Sequence, residues 1–151
     1  MTPPITQKHL YGWKMEQILR PHLEEYLEDF LVPTEFRFDG CDLKSETSDN
    51  EIKARPKYSV KYKTLQTPDT YPEWLLPTCK VDKFDTKSGR ELNFFYYWGA
   101  TQECFHLQYT KEKFDSYRRA VPFFSRQEHF YIPKEDWKLI LAEVPDELPV
   151  E

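Results

Sequence analysis

The chain has 151 residues, of which 39% are hydrophobic and 17% aromatic, and a net charge of −5. That is the size of one ordinary domain with enough apolar mass for a core, which excludes long disorder away from the ends. No apolar run reaches the roughly 18 residues of a membrane span, and the opening MTPPITQKHL lacks the apolar stretch of a signal peptide.

Residues 7–31 are patterned as a helix, with Met15, Leu19, Leu23, Tyr26, Leu27 and Phe30 on one side. Pro21 interrupts the run and either kinks the helix or opens a second one. Val32-Pro33-Thr34 ends it, and Glu35-Phe-Arg-Phe38 alternates as a short strand. Asp39-Gly40 is a two-residue hairpin signal, with 41–44 as the returning strand, 45–50 as a second turn and 51–62 as a longer strand. Pro56 marks a bulge or an edge in that strand. Residues 66–77 read as a Pro-rich loop anchored by Trp74-Leu-Leu76, and 78–87 as a short helix ended by Ser88-Gly89. Residues 93–98 and 104–109 are aromatic strands joined by a hairpin at Gly99-Ala-Thr-Gln102. Residues 111–119 read as a charged helix and 128–132 as a last strand. Residues 133–141 read as a closing helix with Trp137, Ile140 and Leu141 inward. The expected organisation is one domain over 1–143 with a loose acidic tail over 144–151. The expected class is α/β, a mixed sheet with helices packed on it.

Three widely spaced cysteines (Cys41, Cys79, Cys104) and four scattered histidines (His9, His22, His106, His129) fit neither a disulfide framework nor a zinc spacing. An intracellular setting, in cytoplasm, nucleoid or nucleus, follows as an expectation. The acid surplus argues against a simple nucleic-acid binder, but it is unevenly spread. The last eleven residues carry four acids and no base, which leaves the rest close to neutral. Residues 52–68 carry Lys53, Arg55, Lys57, Lys61 and Lys63 and no acid. Such a strip tracks phosphates or is the solvated face of a strand. Tyr58 and Tyr62 lie among these lysines and either stack on bases or pack within the strand.

The segment that carries chemistry is Glu51-Ile52-Lys53. On a strand Glu51 and Lys53 share a face and Ile52 points into the opposite layer. A carboxylate that ligates a hard cation, beside a lysine that orients or helps deprotonate water, suits metal-assisted phosphodiester cleavage. Acid-x-Lys also occurs at Asp42-Leu-Lys44, Asp85-Thr-Lys87 and Asp136-Trp-Lys138. The copy at Glu51 differs in context, because pairing through the 45–50 turn brings Asp42 beside it. Glu16 lies within the apolar stripe of the first helix, where a carboxylate needs a partner. Asp29 falls near the other edge of the same stripe.

The stretch GWKMEQIL followed by EFRFDGCDLKSETSDNEIKAR, and the later LLPTCKVDKF, FFYYWG, FHLQYT and EHFYIPKEDW, resembles the PD-(D/E)XK nuclease superfamily. The resemblance covers most of the chain as an element order, with Glu16, Asp42, Glu51, Lys53 and Arg55 at the motif positions. No proline precedes Asp42, and Asp39 is a second candidate for its place. The resemblance implies a restriction-endonuclease-like core, a central mixed sheet flanked by helices. It implies Mg²⁺, with Mn²⁺ as substitute, bound by Asp42, Glu51 and the carbonyl of Ile52, with Glu16 completing the shell. It implies Lys53 as the residue that positions the nucleophile. Arg55, Lys57, Lys61 and Lys63 would hold the substrate, DNA ahead of RNA, and a homodimer or other partner would supply selectivity. The competing expectation is a scaffold or protein-interaction module that keeps the fold without catalysis.

Overall fold

The computed structural model describes residues 7–34, 42–59 and 61–147. The first helix, α1 (Gln7–Leu27), buries Met15, Leu19 and Leu23, which recur every fourth residue and so form one stripe. One helix runs past Pro21, which lies on its exposed side. The chain leaves the helix at Glu28, in the left-handed region at φ 55°. Phe30, expected on the inward stripe, therefore lies beyond the helix and is exposed, and Leu31 is buried instead.

The strand pattern at 35–38, the Asp39-Gly40 turn and Cys41 lie outside the described residues. Val32–Pro33, read as a helix terminator, forms strand β1 and pairs antiparallel with β2 (Leu43–Lys44). β2 pairs antiparallel with β3 (Ser48–Arg55). The turn expected over 45–50 is tighter than the sequence suggested. Ser45 Oγ accepts the N–H groups of Thr47 and Ser48, so β3 begins at Ser48. Arg90 clamps this turn by donating to the carbonyls of Ser45, Glu46 and Ser48 and to Asp49. The strand expected to reach Tyr62 stops at Arg55, because Pro56 has no N–H for a ladder.

β5 (Glu91–Trp98) runs parallel to β3, and β6 (Glu103–Gln108) returns antiparallel through the expected hairpin. The segment 133–141 is not a helix. A short 3₁₀ turn (Lys134–Asp136) leads into β9 (Lys138–Leu141), which pairs antiparallel with β6 and closes the six-stranded order β1-β2-β3-β5-β6-β9. The exposed edge of β6 offers unpaired main-chain groups, and pairing with them outweighs the helical spacing of Trp137, Ile140 and Leu141. Trp137 is still buried, and Ile140 and Leu141 pack on the helix-side core.

The Trp74-Leu-Leu76 segment, read as a loop anchor, is strand β4 (Glu73–Pro77). Trp74 and Leu76 alternate inward, and the strand pairs with β8 (His129–Pro133). β7 (Arg118–Ala120) completes a second sheet, ordered β4-β8-β7. The helices expected at 78–87 and 111–119 shrink to α2 (Cys79–Asp82) and α3 (Lys111–Asp115).

The main sheet is thus covered by α1 on one face and by the small sheet on the other. β5 serves both layers. Leu92, Phe94, Tyr96 and Trp98 pack with Trp74, Phe130 and Ile132, whereas Phe95 and Tyr97 pack with Met15, Leu19 and Leu23. A polar chain crosses the sheet. Tyr26 Oη meets His106 Nδ1 at 2.9 Å and His106 Nε2 meets Asn93 Oδ1 at 2.8 Å. Asn93 Nδ2 donates to Asn50 Oδ1, and Asn50 Nδ2 donates to Ser48 Oγ. Because Asn93 Oδ1 accepts, His106 Nε2 carries the proton and the hydroxyl of Tyr26 donates to Nδ1.

The tail expected to be loose from residue 144 is tied down at its start. Val144 is buried and its N–H donates to the carbonyl of Gln102, Tyr97 donates its hydroxyl to the carbonyl of Val144, and Tyr11 donates to Asp146. Among the described residues, no helix is long and apolar enough to cross a membrane.

Candidate functional site

The register of β3 on β5 decides which side chains share a face. Glu51 lies beside Phe94, Lys53 beside Tyr96 and Arg55 beside Trp98, so these three point to the layer of the small sheet. Ile52 and Ala54 point to α1 and pack on its core. β2 pairs with Asp49 and Asn50, and among the described residues no strand pairs with the outer edge of β3 from Glu51 onward.

Asp42 stands where β2 diverges. Its N–H donates to the carbonyl of Asn50 at 3.1 Å, and its Oδ2 accepts the N–H of Ile52 at 2.8 Å. The carboxylate thus replaces a main-chain acceptor at the end of the ladder. In an extended strand the N–H and C=O of one residue point to the same side. The Ile52 carbonyl therefore faces the same open edge.

α1 brings Glu16 to this edge, with Trp13 one turn earlier, and the end of β4 and α2 contribute Leu76, Pro77 and Lys80. Together with Asp42, Glu51 and Lys53 they line a cleft of about 250 Å³. Four residues singled out in the sequence, Glu16, Asp42, Glu51 and Lys53, are thereby brought together from three separate segments.

The cleft holds more carboxylate than cation at its centre. The charge of Asp42 acts on both Glu16 and Glu51. Glu51 is only 4% exposed; its Oε2 is 3.3 Å from Lys80 Nζ, and its Oε1 is buried with no partner. Burial and then the Asp42 charge push the Glu51 carboxyl up to about 9, against the pull of Lys80. The same two causes push Glu16 up to about 8. Carboxylate oxygens and a main-chain carbonyl are donors that a hard divalent cation takes, and the orphaned Glu51 oxygen is an atom such a cation would satisfy. Among the described residues, however, no group of three His, Cys, Asp or Glu side chains is spaced as a ready-made ion site.

The remaining candidates lie elsewhere. Arg55 is half-buried and donates from Nε to the Tyr96 hydroxyl at 3.0 Å, so its guanidinium is engaged inside the fold. Lys57, Lys61 and Lys63 are exposed beyond the end of β3. Asp29 accepts the Thr47 hydroxyl and is not in the cleft, and Asp39 lies outside the described residues. Lys80, His9 and Trp13 were not legible as site residues. Lys80 comes from a four-residue helix 29 positions after Glu51, and only the packing of β4 against the main sheet brings the two together.

No protein-family model matches the chain, and neither does any curated protein or solved structure.

Proposed function

We propose that the cleft hydrolyses phosphodiester bonds of DNA with the help of a divalent cation. The observation that carries this reading is the convergence of Glu16, Asp42, Glu51 and Lys53 on one cleft, with a buried Glu51 oxygen left unpartnered. Asp42, Glu51 and the Ile52 carbonyl would hold Mg²⁺ or Mn²⁺, and Glu16 would complete the set. When bound, the ion would activate water and offset charge on the phosphate. Lys53, on the same face of β3 as Glu51, orients the attacking water and donates to the phosphate oxygens. Lys80 neutralises Glu51 from the far side of the cleft. Lys57, Lys61 and Lys63 draw the backbone of the substrate toward β3.

The element order also supports a restriction-endonuclease-like core. A helix precedes three meandering strands, a strand of the second sheet and a short helix follow, and the strand after these is parallel to the third. The layer opposite α1 departs from that plan, because a three-stranded sheet covers it in place of a long helix.

A non-catalytic scaffold is the second reading, and the lack of a ready-spaced ion site among the described residues favours it. The two separate on incubation of the protein with supercoiled, linear, single-stranded and branched DNA, with and without Mg²⁺ or Mn²⁺, beside Lys53→Ala. Metal-dependent cleavage that disappears in the variant is the expected result. A folded protein that cuts none of these forms is a scaffold.

A further inference from the structure

The chain between β3 and β4 leaves the sheet as a hairpin of its own. After Pro56, the Gln66 N–H donates to the carbonyl of Lys57, the Ser59 N–H to that of Thr64, and the Lys63 N–H to that of Ser59. Tyr58 is paired opposite Leu65, and Lys63 turns the tip at φ 58°. Directly paired residues share a face. Tyr58 and Leu65 therefore lie on one face, and Lys57, Ser59, Thr64 and Gln66 on the other. Gln66 is buried and its amide donates to the carbonyl of Pro56, so its face is the inner one at that position, while the side chains of Lys57 and Thr64 reach solvent.

The outer face is left to solvent. Tyr58 is 53% exposed and Tyr62, near the tip, 60%, and neither belongs to a core cluster. Lys57 Nζ lies 5.6 Å from the Tyr58 ring centre and Lys61 Nζ 5.3 Å from that of Tyr62. The charge is of one sign, because no acid occurs between residues 52 and 68.

The root of this hairpin lies near the turn after β5 and the first turns of α1. A Cβ on Gly99 would stand 3.2 Å from the Lys57 main-chain nitrogen and 2.6 Å from the Tyr11 hydroxyl. Trp13, two residues after Tyr11, is carried to another side of α1, where it lines the cleft. Trp13 is 40% exposed, while Trp74, Trp98 and Trp137 are buried. Along β3 the path from Glu51 to Arg55 is about 13 Å at ordinary strand rise, and Tyr58 follows three residues later.

We propose that this hairpin, together with Trp13 in the cleft, is a grip for single-stranded DNA. Exposed ring faces offer stacking platforms to unpaired bases, and the lysines offer countercharge to the phosphates between them. In a duplex the base faces are already stacked, so only the phosphate contacts would remain. The proposal takes from the proposed function that the ligand is DNA, and assigns which form of it is held.

The test measures binding in a metal chelator, so that no cleavage is needed. Labelled oligo-dT, an equally long duplex and oligo-U are titrated with the parent protein and three variants. Oligo-dT is expected to bind more tightly than duplex and to quench tryptophan fluorescence, a signal lost in Trp13→Phe. Tyr58→Ala/Tyr62→Ala is expected to lower oligo-dT affinity by about tenfold or more while leaving duplex affinity unchanged. Tyr58→Phe/Tyr62→Phe keeps the rings and is expected to bind as the parent does. Equal affinity for duplex and oligo-dT, or an unchanged affinity in the double alanine variant, overturns the grip. Tighter binding of oligo-U overturns the assignment to DNA. A protein that binds oligo-dT in this way but cuts nothing when metal is added refutes the nuclease reading and leaves the grip standing. One that cuts duplex yet binds no single strand refutes the grip alone.

Discussion

At the scale of single residues, the tension in the cleft is between burial and charge. Glu51 and Glu16 are held where water does not solvate them well, with Asp42 between, and one lysine offsets the charge of Glu51. Lys53→Ala removes a half-buried group from the cleft wall. Cleavage is expected to fall by at least about 100-fold, while a melting scan still shows a cooperative transition. Glu51→Gln separates function from stability. It is expected to abolish cleavage and yet raise the thermal midpoint above that of the parent at pH 9, because the buried charge is gone. A lower midpoint at that pH would show that the Lys80 pair outweighs the cost of burial. Glu51 and Lys53 were legible in the sequence because a strand enforces a two-residue period. Lys80 was not, because no local period connects it to β3.

At the scale of elements, α1 sets the position of Glu16 through the packing of Met15, Leu19 and Leu23 on β5. Pro21 weakens that helix from its exposed side, since it cannot donate to the carbonyl four residues back. Pro21→Ala is expected to stabilise the protein by about 1 to 3 kcal/mol in urea unfolding. An unchanged or lower stability would mean that the path of the helix around the sheet needs the proline. The strands read correctly, at 93–98 and 104–109, are long aromatic runs joined by a recognisable hairpin. Those misread, β4 and β9, are four or five residues long and gain strand structure from partners distant in sequence. Short segments of this kind follow tertiary pairing ahead of their own propensity.

At the scale of the whole molecule, the pH dependence of stability is expected to be the sum of two opposing shifts. Burial depresses His106 to about 4, below its unfolded value, so its contribution is complete above about 6.5 and is lost as pH falls through the folded value. Glu16 and Glu51 are shifted the other way. Their favourable contribution is complete below the ordinary carboxylate range and is lost as pH rises through about 8 and 9. Two carboxyls outweigh one imidazole where these windows overlap, so thermal midpoints should rise as pH is lowered from about 10 to about 5. His106→Asn should steepen that rise below about pH 6.5, and Asp42→Asn should flatten the alkaline arm. Mg²⁺ or Mn²⁺ should raise the alkaline arm in the parent protein and leave Asp42→Asn unmoved. No response of the alkaline arm to either ion would count against metal binding in the cleft.

The sequence by itself determined what depends on local period and composition. These are a mixed α/β fold, the helix from Gln7 with its stripe of Met15, Leu19 and Leu23, the aromatic hairpin of β5 and β6, the shared face of Glu51 and Lys53, and the acid-free strip after Ile52. Tertiary structure alone decided what depends on contacts between distant segments. It made the last segment a strand on β6, drew Trp74-Leu-Leu76 into a second sheet, anchored Val144, and set Lys80 against Glu51. It also turned the basic strip into a hairpin with its tyrosines outward. The physical reason is common to all of these. A short segment has too little intrinsic preference to choose its own form, and its main-chain hydrogen bonds and buried side chains take the partners that the rest of the fold presents.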